Sequence, residues 1–563
     1  PSAPGQADFS VQLAHARIAA VPRYLPLAAT EGLRQWITHA LVAGEASDVR
    51  LRLRGDLASF PFVDAKQSEF RVSAKIAQGV LDYTEGWPRI ESIDADLQID
   101  RDKLELVGRK GHVYGTTLSG VRVRLPRLGS PSMVLAITGQ ADGPTADALR
   151  YVRETALNRI TNGVAESIEA VGQGQLRLNL ELPLAEPAKS RLMGSFQVNA
   201  NTLTVDRRLP PIERVAGRFE FTHLGFALRE LRGHFLGGPA TFTGGTQPQG
   251  GVQVVVRGDA TAVGLRPLLE PAWRRFLNGA APYTATVTAR SRNDLRVALE
   301  SNLRGVSINL PAPLNKAAAD AWPMRIELSP QDGADRVLVS LPARGLNAEF
   351  LRRASAPNVT PIQRFGIGLN QAARLPERNG MLVAGQLPTL NLDTWLPIFS
   401  GPDGLVSTSA TAEASEANTV NFDLRLGTFD LYNRRLNNAT VRANIDPGGW
   451  KANIASTELT GELSYRNEGR GRLVARLSSM TPPAEMNASG TTTSSSTSSA
   501  SNYPAVDLVT ERFMYRGKQY GRVEIFAQPE ANQWRIERFA NINPDSSLTG
   551  KGVWTLGSAS RTA

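Results

Sequence analysis

The sequence predicts a mainly β chain with a few short helices, and three observations support it. The first is strict alternation: Phe70, Val72, Ala74 and Ile76 alternate with Arg71, Ser73 and Lys75, while Leu176, Leu178, Leu180 and Leu182 alternate with Arg177, Asn179 and Glu181. The second is an internal repeat at a shift of 122 positions. The third is composition: 563 residues with 50 Gly, 35 Pro, 41% hydrophobic and 21% charged content exclude wholesale disorder and leave a turn-rich globular chain.

The alternating beat recurs at Leu51/Leu53, Val121/Val123/Leu125, Val252/Val254/Val256, Ala285/Val287/Ala289, Leu295/Val297/Leu299, Val337/Val339/Leu341, Phe422/Leu424/Leu426, Leu473/Ala475/Leu477 and Val523/Ile525. One face of each run is apolar and the other carries Arg, Asn, Asp and Thr. Strands buried on both faces would read as continuous Val/Ile/Leu runs, so antiparallel sheet with one wetted face is expected. Helical spacing is confined to 32–43, to 145–171 with a break at Asn162-Gly163, to 265–277, and to a short turn at 393–399. The Ser/Thr-rich stretch 481–501 has almost nothing to bury and is expected to be a disordered loop, with 401–418 a milder long loop.

The repeat is ungapped. The shift lays Leu81 on Leu203, Pro88 on Pro210, Ile90 on Ile212, Glu91 on Glu213, Leu106 on Leu228, Gly111-His112 on Gly233-His234 and Gly115 on Gly237. These are eight identities in 35 positions, against about two expected from ordinary residue frequencies. Leu97/Phe219, Ile99/Phe221 and Leu104/Phe226 keep the apolar parity. Weaker echoes follow at 441–465 and 522–554. Repeated β units stack on one another, so an elongated body of four modules is expected: 1–122, 123–244, 245–400 and 401–563.

Chemistry-bearing constellations are missing. Zero Cys removes disulfides, thiol nucleophiles and cysteine metal sites. His15, His39, His112, His223 and His234 show no metal-ligand spacing. His112 and His234 hold equivalent repeat positions, which is expected to mark a strand entrance. Asp94 and Asp96 share a strand face and could be imagined as a glycosidase-like pair or a calcium loop, but the glycine and terminal Glu of a calcium loop are absent and a solvated strand face is the better reading. Gly172-Gln173-Gly174 and Gly366-Ile367-Gly368 lack a third glycine and a following helix, and no Gly-x-Ser-x-Gly elbow occurs. The net charge of +10 comes mainly from Arg residues dealt singly along the chain, without the basic stripe and stacking aromatics of a nucleic-acid binder. The sequence therefore predicts no enzyme, no cofactor, no metal and no nucleic-acid partner. No run approaches a membrane span of ~18–20 apolar residues. A start at Pro1 rather than Met reads as an excised fragment.

Periodicity alone leaves open whether the apolar faces meet one another in closed sandwiches or line an open groove. Tyr24-Leu25-Pro26 followed by Leu33-Arg34-Gln35-Trp36-Ile37 and Ala40-Leu41, then Arg54-Gly55-Asp56-Leu57 with Phe60-Pro61-Phe62, and Leu81-Asp82-Tyr83 with Trp87-Pro88-Arg89-Ile90, resemble the YhdP family. Leu182-Pro183-Leu184, Ala321-Trp322-Pro323 and Gly385-Gln386-Leu387 leading to Leu392-Asp393-Thr394-Trp395 extend the resemblance over nearly the whole chain. That family is AsmA-like and TamB-related, and the resemblance implies an elongated repeating antiparallel β-groove, a taco-like twisted sheet. It further implies a periplasmic, inner-membrane-anchored, bridge-like lipid-transfer protein of the Gram-negative envelope, of which this chain would be a central segment lacking the anchor and the terminal segment. The expected partners are phospholipid acyl chains, with membranes reached through other parts of the protein, and the segment is expected to be monomeric. The alternative is an envelope scaffold or tether without a lipid channel. If the apolar parity faces lipid, Ile76, Leu97, Ile99, Leu104 and Leu106 in one repeat, and Val198, Phe219, Phe221, Phe226 and Leu228 in the next, should line one continuous surface.

Overall fold

The computed structural model describes residues 5–25, 30–60, 62, 68–130, 132–160, 163–166, 168–206, 209–269, 271–290, 294–352, 362–400, 419–467, 469–482, 504–530 and 533–555. The chain divides into two compact units, 1–268 with 283–295, and 269–282 with 296–563. Every alternating run named above lies within a strand. The structure is mainly β, dominated by antiparallel pairing, with a few short helices, because the period-two pattern offers each strand one face to bury and one to wet.

In the first unit the strands Gln6–Arg17, Leu41–Asp56, Glu69–Leu81, Ile90–Asp100, Lys103–Val113, Thr116–Leu125, Val134–Pro144, Gln173–Pro183, Arg191–Thr204, Ile212–Thr222, Gly225–Phe235, Gly238–Thr246 and Val252–Thr261 form one ladder. Each pairs antiparallel with the next in this order. The repeat is structural. Shifting Ile90–Asp100 and Lys103–Val113 by 122 lands on the bounds of Ile212–Thr222 and Gly225–Phe235, and shifting Glu69–Leu81 lands within one residue of Arg191–Thr204.

Six antiparallel strands separate the helix Glu31–Ala40 from Thr145–Glu154. An even number of strands returns the chain to the edge it left, so the helices collect along one edge of the ladder, opposite the tight hairpins at Asp100–Lys103 and Thr222–Gly225. Thr30 caps the first helix, accepting from the Leu33 amide. Aromatics tie both helices to the sheet: Trp36 Nε1 donates to the Tyr83 carbonyl at 3.0 Å, the Tyr83 and Tyr151 hydroxyls bond at 2.7 Å, and Trp87 meets both rings edge-on.

Helix bounds differ from the sequence expectation. Leu41, Val42 and Ala43 open a strand, since Leu41 pairs with Leu81. The 145–171 segment breaks into Thr145–Glu154, Leu157–Ile160 and Val164–Glu166, ending in the strand Glu169–Val171. At 265–277 only Ala262–Leu265 is α-helical; Arg266–Leu268 and Pro271–Phe276 are 3₁₀ turns, where Pro267 and Pro271 lack amide donors. The short turn expected at 393–399 is the helix Leu392–Ser400. The loop expected at 401–418 lies outside the described residues, as does 481–501 apart from Thr481 and Pro482, which carry no regular structure.

In the second unit the strands from Leu295–Ser301 to Ser547–Thr555 pair antiparallel except at three joins. Ile362–Leu369, Gly380–Asn391 and Val420–Leu431 run parallel, as do Arg472–Met480 and Ala505–Tyr515. The first parallel join returns across the polar face of Ile362–Leu369. A Cβ on Gly366 would stand 2.1 Å from the Arg374 carbonyl oxygen, so only glycine lets that segment cross. Here the apolar face closes into a core, with Leu369, Leu387, Leu424, Leu426, Ala439, Val441, Ala452 and Ile454 all buried.

Candidate functional site

Register converts parity into a surface. Within the first unit, direct cross-strand partners run Val11, Leu51, Val72, Ile99, Leu104 and Leu125 in one row. A second row runs Ala74, Leu97, Leu106, Val123, Ile137, Leu180 and Leu192. A third runs Ala141, Leu176, Phe196, Phe219, Leu228, Gly244 and Val254. Alternate residues of a strand share a face, so Ile76, Phe221, Phe226 and Val198 stand on the same side as their neighbours in these rows. All ten residues singled out from the sequence thus occupy one face of one ladder. Leu97 is directly opposite Leu106, Ile99 opposite Leu104, Phe219 opposite Leu228 and Phe221 opposite Phe226.

Burial shows how that face is covered. Val198 is 8% exposed, but the other nine are half-buried. Every strand of 6–261 with the exception of the short Glu169–Val171 lies in the ladder just traced, and Glu169–Val171 pairs with its Arg191–Thr204 member, so the described residues of 6–261 hold no second sheet to cap the face. Half-buried Leu, Ile and Phe are the result. A face sealed as in a sandwich would hold them at core burial, as the second unit does from Leu369 to Ile454.

Glycines shape the surface in a way that alternation does not reveal. Gly174 and Gly194 sit at face positions beside aromatic partners, and a Cβ on them would stand 2.1 Å from Phe196 Cζ and 2.3 Å from Phe221 Cζ. Both rings therefore lie across the neighbouring strand instead of standing upright. Phe219 stacks on Phe226 with centroids 5.3 Å apart. A low aromatic floor forms where the second repeat faces outward.

The opposite face is wet and ion-paired. Arg52 bonds Asp8, Lys75 bonds Asp48 at 2.7 Å, Arg124 meets Glu105 at 3.2 Å and Arg229 meets Glu220 at 3.2 Å. The Arg52 guanidinium holds the Asp8 carboxyl below its usual range, and the Lys75 ammonium does the same for Asp48. Such exposed, solvent-screened pairs add little stability; their effect is to keep one face in water.

The imagined carboxylate pair is accounted for here: Asp96 bonds Arg109, and Asp94 accepts from the Gln78 amide at 3.3 Å. His112 and His234 stand one residue before the ends of their strands, so the repeated Gly-His marks a strand exit rather than an entrance, where the hairpin returns two residues later. Among the described residues no group of His, Asp and Glu could hold a metal ion. No described helix is long and apolar enough to cross a membrane.

No curated protein and no solved structure matches the chain. The family model described as YhdP protein matches residues 1–562. With the whole length covered, the chain belongs to the YhdP family.

Proposed function

We propose that this chain is a non-enzymatic lipid-carrying segment, moving phospholipid along an apolar groove between the inner and outer membranes of a Gram-negative bacterium, in a periplasmic protein anchored elsewhere to the inner membrane. The observation that carries this reading is the set of unbroken apolar rows left half-exposed on a sheet whose other face is solvated. Membership of an envelope family supports it. A scaffold or tether would need a partner protein to cover such a face, whereas a lipid carrier uses it uncovered.

The physics is that of a slide rather than a pocket. Each acyl CH₂ removed from water is worth ~0.8 kcal/mol, so a diacyl lipid is held without any charged contact to its tails. Twelve strand spacings of roughly 4.8 Å give the first unit's ladder a contour of about 58 Å, several times one acyl chain. Side chains along the rows differ little in polarity, so neighbouring positions bind tails almost equally and barriers between them are low. Modules at 1–122 and 123–244 would each add length to this track.

The test is photocrosslinking in cells at Leu97 and Phe221, with Gln98 and Glu220 on the alternate parity. Phospholipid adducts are expected at Leu97 and Phe221 and few at the other two. Equal labelling of both parities refutes the groove, and so does no labelling at any of the four while a lipid-binding control protein with the same probe is labelled.

A further inference from the structure

We propose that the first unit carries a phosphoryl-binding cleft on its polar face, formed by Arg214, Arg232, His234 and Arg257 beside the helix-bearing edge. It lies on the side of the sheet away from the apolar rows, so it does not depend on whether those rows carry lipid.

Four strands build it. Arg232 is directly opposite Thr241, and Thr241 opposite Arg257, while Leu231, Phe242 and Val256 take the alternate, apolar parity. Arg214 is the extra residue of a bulge between Glu213 and Ala216, and its φ of 50° breaks the alternation and frees the side chain from the ordinary beat. These residues line a cleft of about 280 Å³, ample for a phosphate ester.

Elsewhere on this face Arg109, Arg124 and Arg229 each find a carboxylate, while among the described residues Arg177 and Arg218 do not. The cleft gathers three arginines in one place. Among the described residues no carboxylate pairs with Arg214 or Arg257, and the Arg232 contact is Glu230 at 3.5 Å with both side chains about three-quarters exposed. Glu213, opposite His234, and Asp259, two residues beyond Arg257, share the face but form no ion pair with the cleft. His234 Nδ1 is shut off from water and has no hydrogen-bond partner.

Three guanidiniums lining one cleft, with a single exposed carboxylate contact among them, repel one another, and an anion between them relieves that repulsion. Arginine forks match phosphate oxygens two at a time. Three forks suit the three or four oxygens of a phosphoryl group better than the two of a carboxylate. The chemistry is the same for a free phosphate and for the phosphodiester of a lipid headgroup.

Titration calorimetry of the full chain with inorganic phosphate and with dimethyl phosphate, at fixed ionic strength and with acetate as the control anion, tests this. Sedimentation with vesicles of phosphatidylglycerol in phosphatidylcholine is the third arm. The double variant Arg214→Gln/Arg257→Gln should weaken phosphate binding at least tenfold. Arg122→Gln/Arg124→Gln, which removes equal charge from the same face, should change it less than twofold. Arg257→Lys, which keeps the charge and loses the fork, should fall between them. Binding of inorganic phosphate without dimethyl phosphate or vesicles supports the cleft with a free phosphate as its ligand. Vesicle binding that phosphate competes away, and that the cleft variant loses, supports it with a headgroup. The proposal is overturned if neither phosphate probe binds at 10 mM (about 2.7 kcal/mol of affinity), if acetate binds as well as phosphate, or if both double variants weaken binding equally while circular dichroism reports intact sheet.

Discussion

Replacing Gly194 by alanine should break the fit between the two aromatic-floor strands, and its size follows from the geometry. A Cβ there would stand 2.3 Å from Phe221 Cζ, 2.6 Å from Cε2 and 2.9 Å from the Arg177 carbonyl oxygen. The ring must swing off the neighbouring strand, an overpacking cost of about 1–3 kcal/mol. Phe221→Ala alone should cost roughly half of the ~3–5 kcal/mol of a fully buried ring, because this ring is half-buried. In the double variant the added methyl meets no ring, so most of the overpacking disappears and a coupling of ~1–2 kcal/mol is expected. Hydrogen exchange in peptides covering 192–204 and 212–222 reads this locally: Gly194→Ala should lower protection about 5- to 100-fold, and adding Phe221→Ala should cost less than its own single effect. Additivity within ~0.5 kcal/mol, or unchanged protection in Gly194→Ala, refutes the described seating of Phe221.

Two further outcomes are expected. Lys316 is 2% exposed and its ammonium donates to the carbonyls of Val306 and Asp320 at 2.7 Å and of Ala317 at 3.1 Å. Lys316→Met leaves those acceptors unpaired and should destabilise the 302–322 segment by about 2–4 kcal/mol, seen as 30- to 1000-fold faster proteolysis there, whereas Lys451→Met, at an exposed pair with Glu462, should change little. Asp507 is held below its ordinary carboxyl value of 3.8 by hydrogen bonding to Arg476, with Arg472 adding to it. A depressed folded value means that the folded state binds its proton later than the unfolded chain, so the stabilisation is present above pH 3.8 and fades as pH falls through the folded value. Asp507→Asn should therefore cost stability at pH 7, and that cost should shrink steadily as pH falls below 3.8; an equal loss at every pH, followed by chemical denaturation, counts against the pairing.

Much of the site was legible because a strand's side chains repeat with a period of two. Parity in Phe70–Ile76 or Leu176–Leu182 is decided by backbone geometry, so the face each residue takes could be read before any partner was known. The repeat was legible for the same reason: Ile90–Asp100 and Ile212–Thr222 carry the same beat between the same turns. Helix lengths were less so. Leu41–Ala43 continue a helical spacing but pair with the strand ending at Leu81, and tertiary pairing overrides local pattern.

Amino-acid order by itself determined the β class, the apolar side of each strand and the 122-residue repeat, all properties that local chemistry sets. Tertiary structure decided the rest. Alternation pointed to antiparallel pairing and does not mark where a single neighbour runs parallel, so the joins between Ile362–Leu369, Gly380–Asn391 and Val420–Leu431 emerged only from register. The same alternation ends half-exposed around Leu97 and Phe221 and buried around Leu424 and Ile454, because burial depends on how a sheet curves and what it meets. Arg214, Arg232, His234 and Arg257 are scattered over more than forty positions of sequence and share a cleft only because four neighbouring strands lay them side by side.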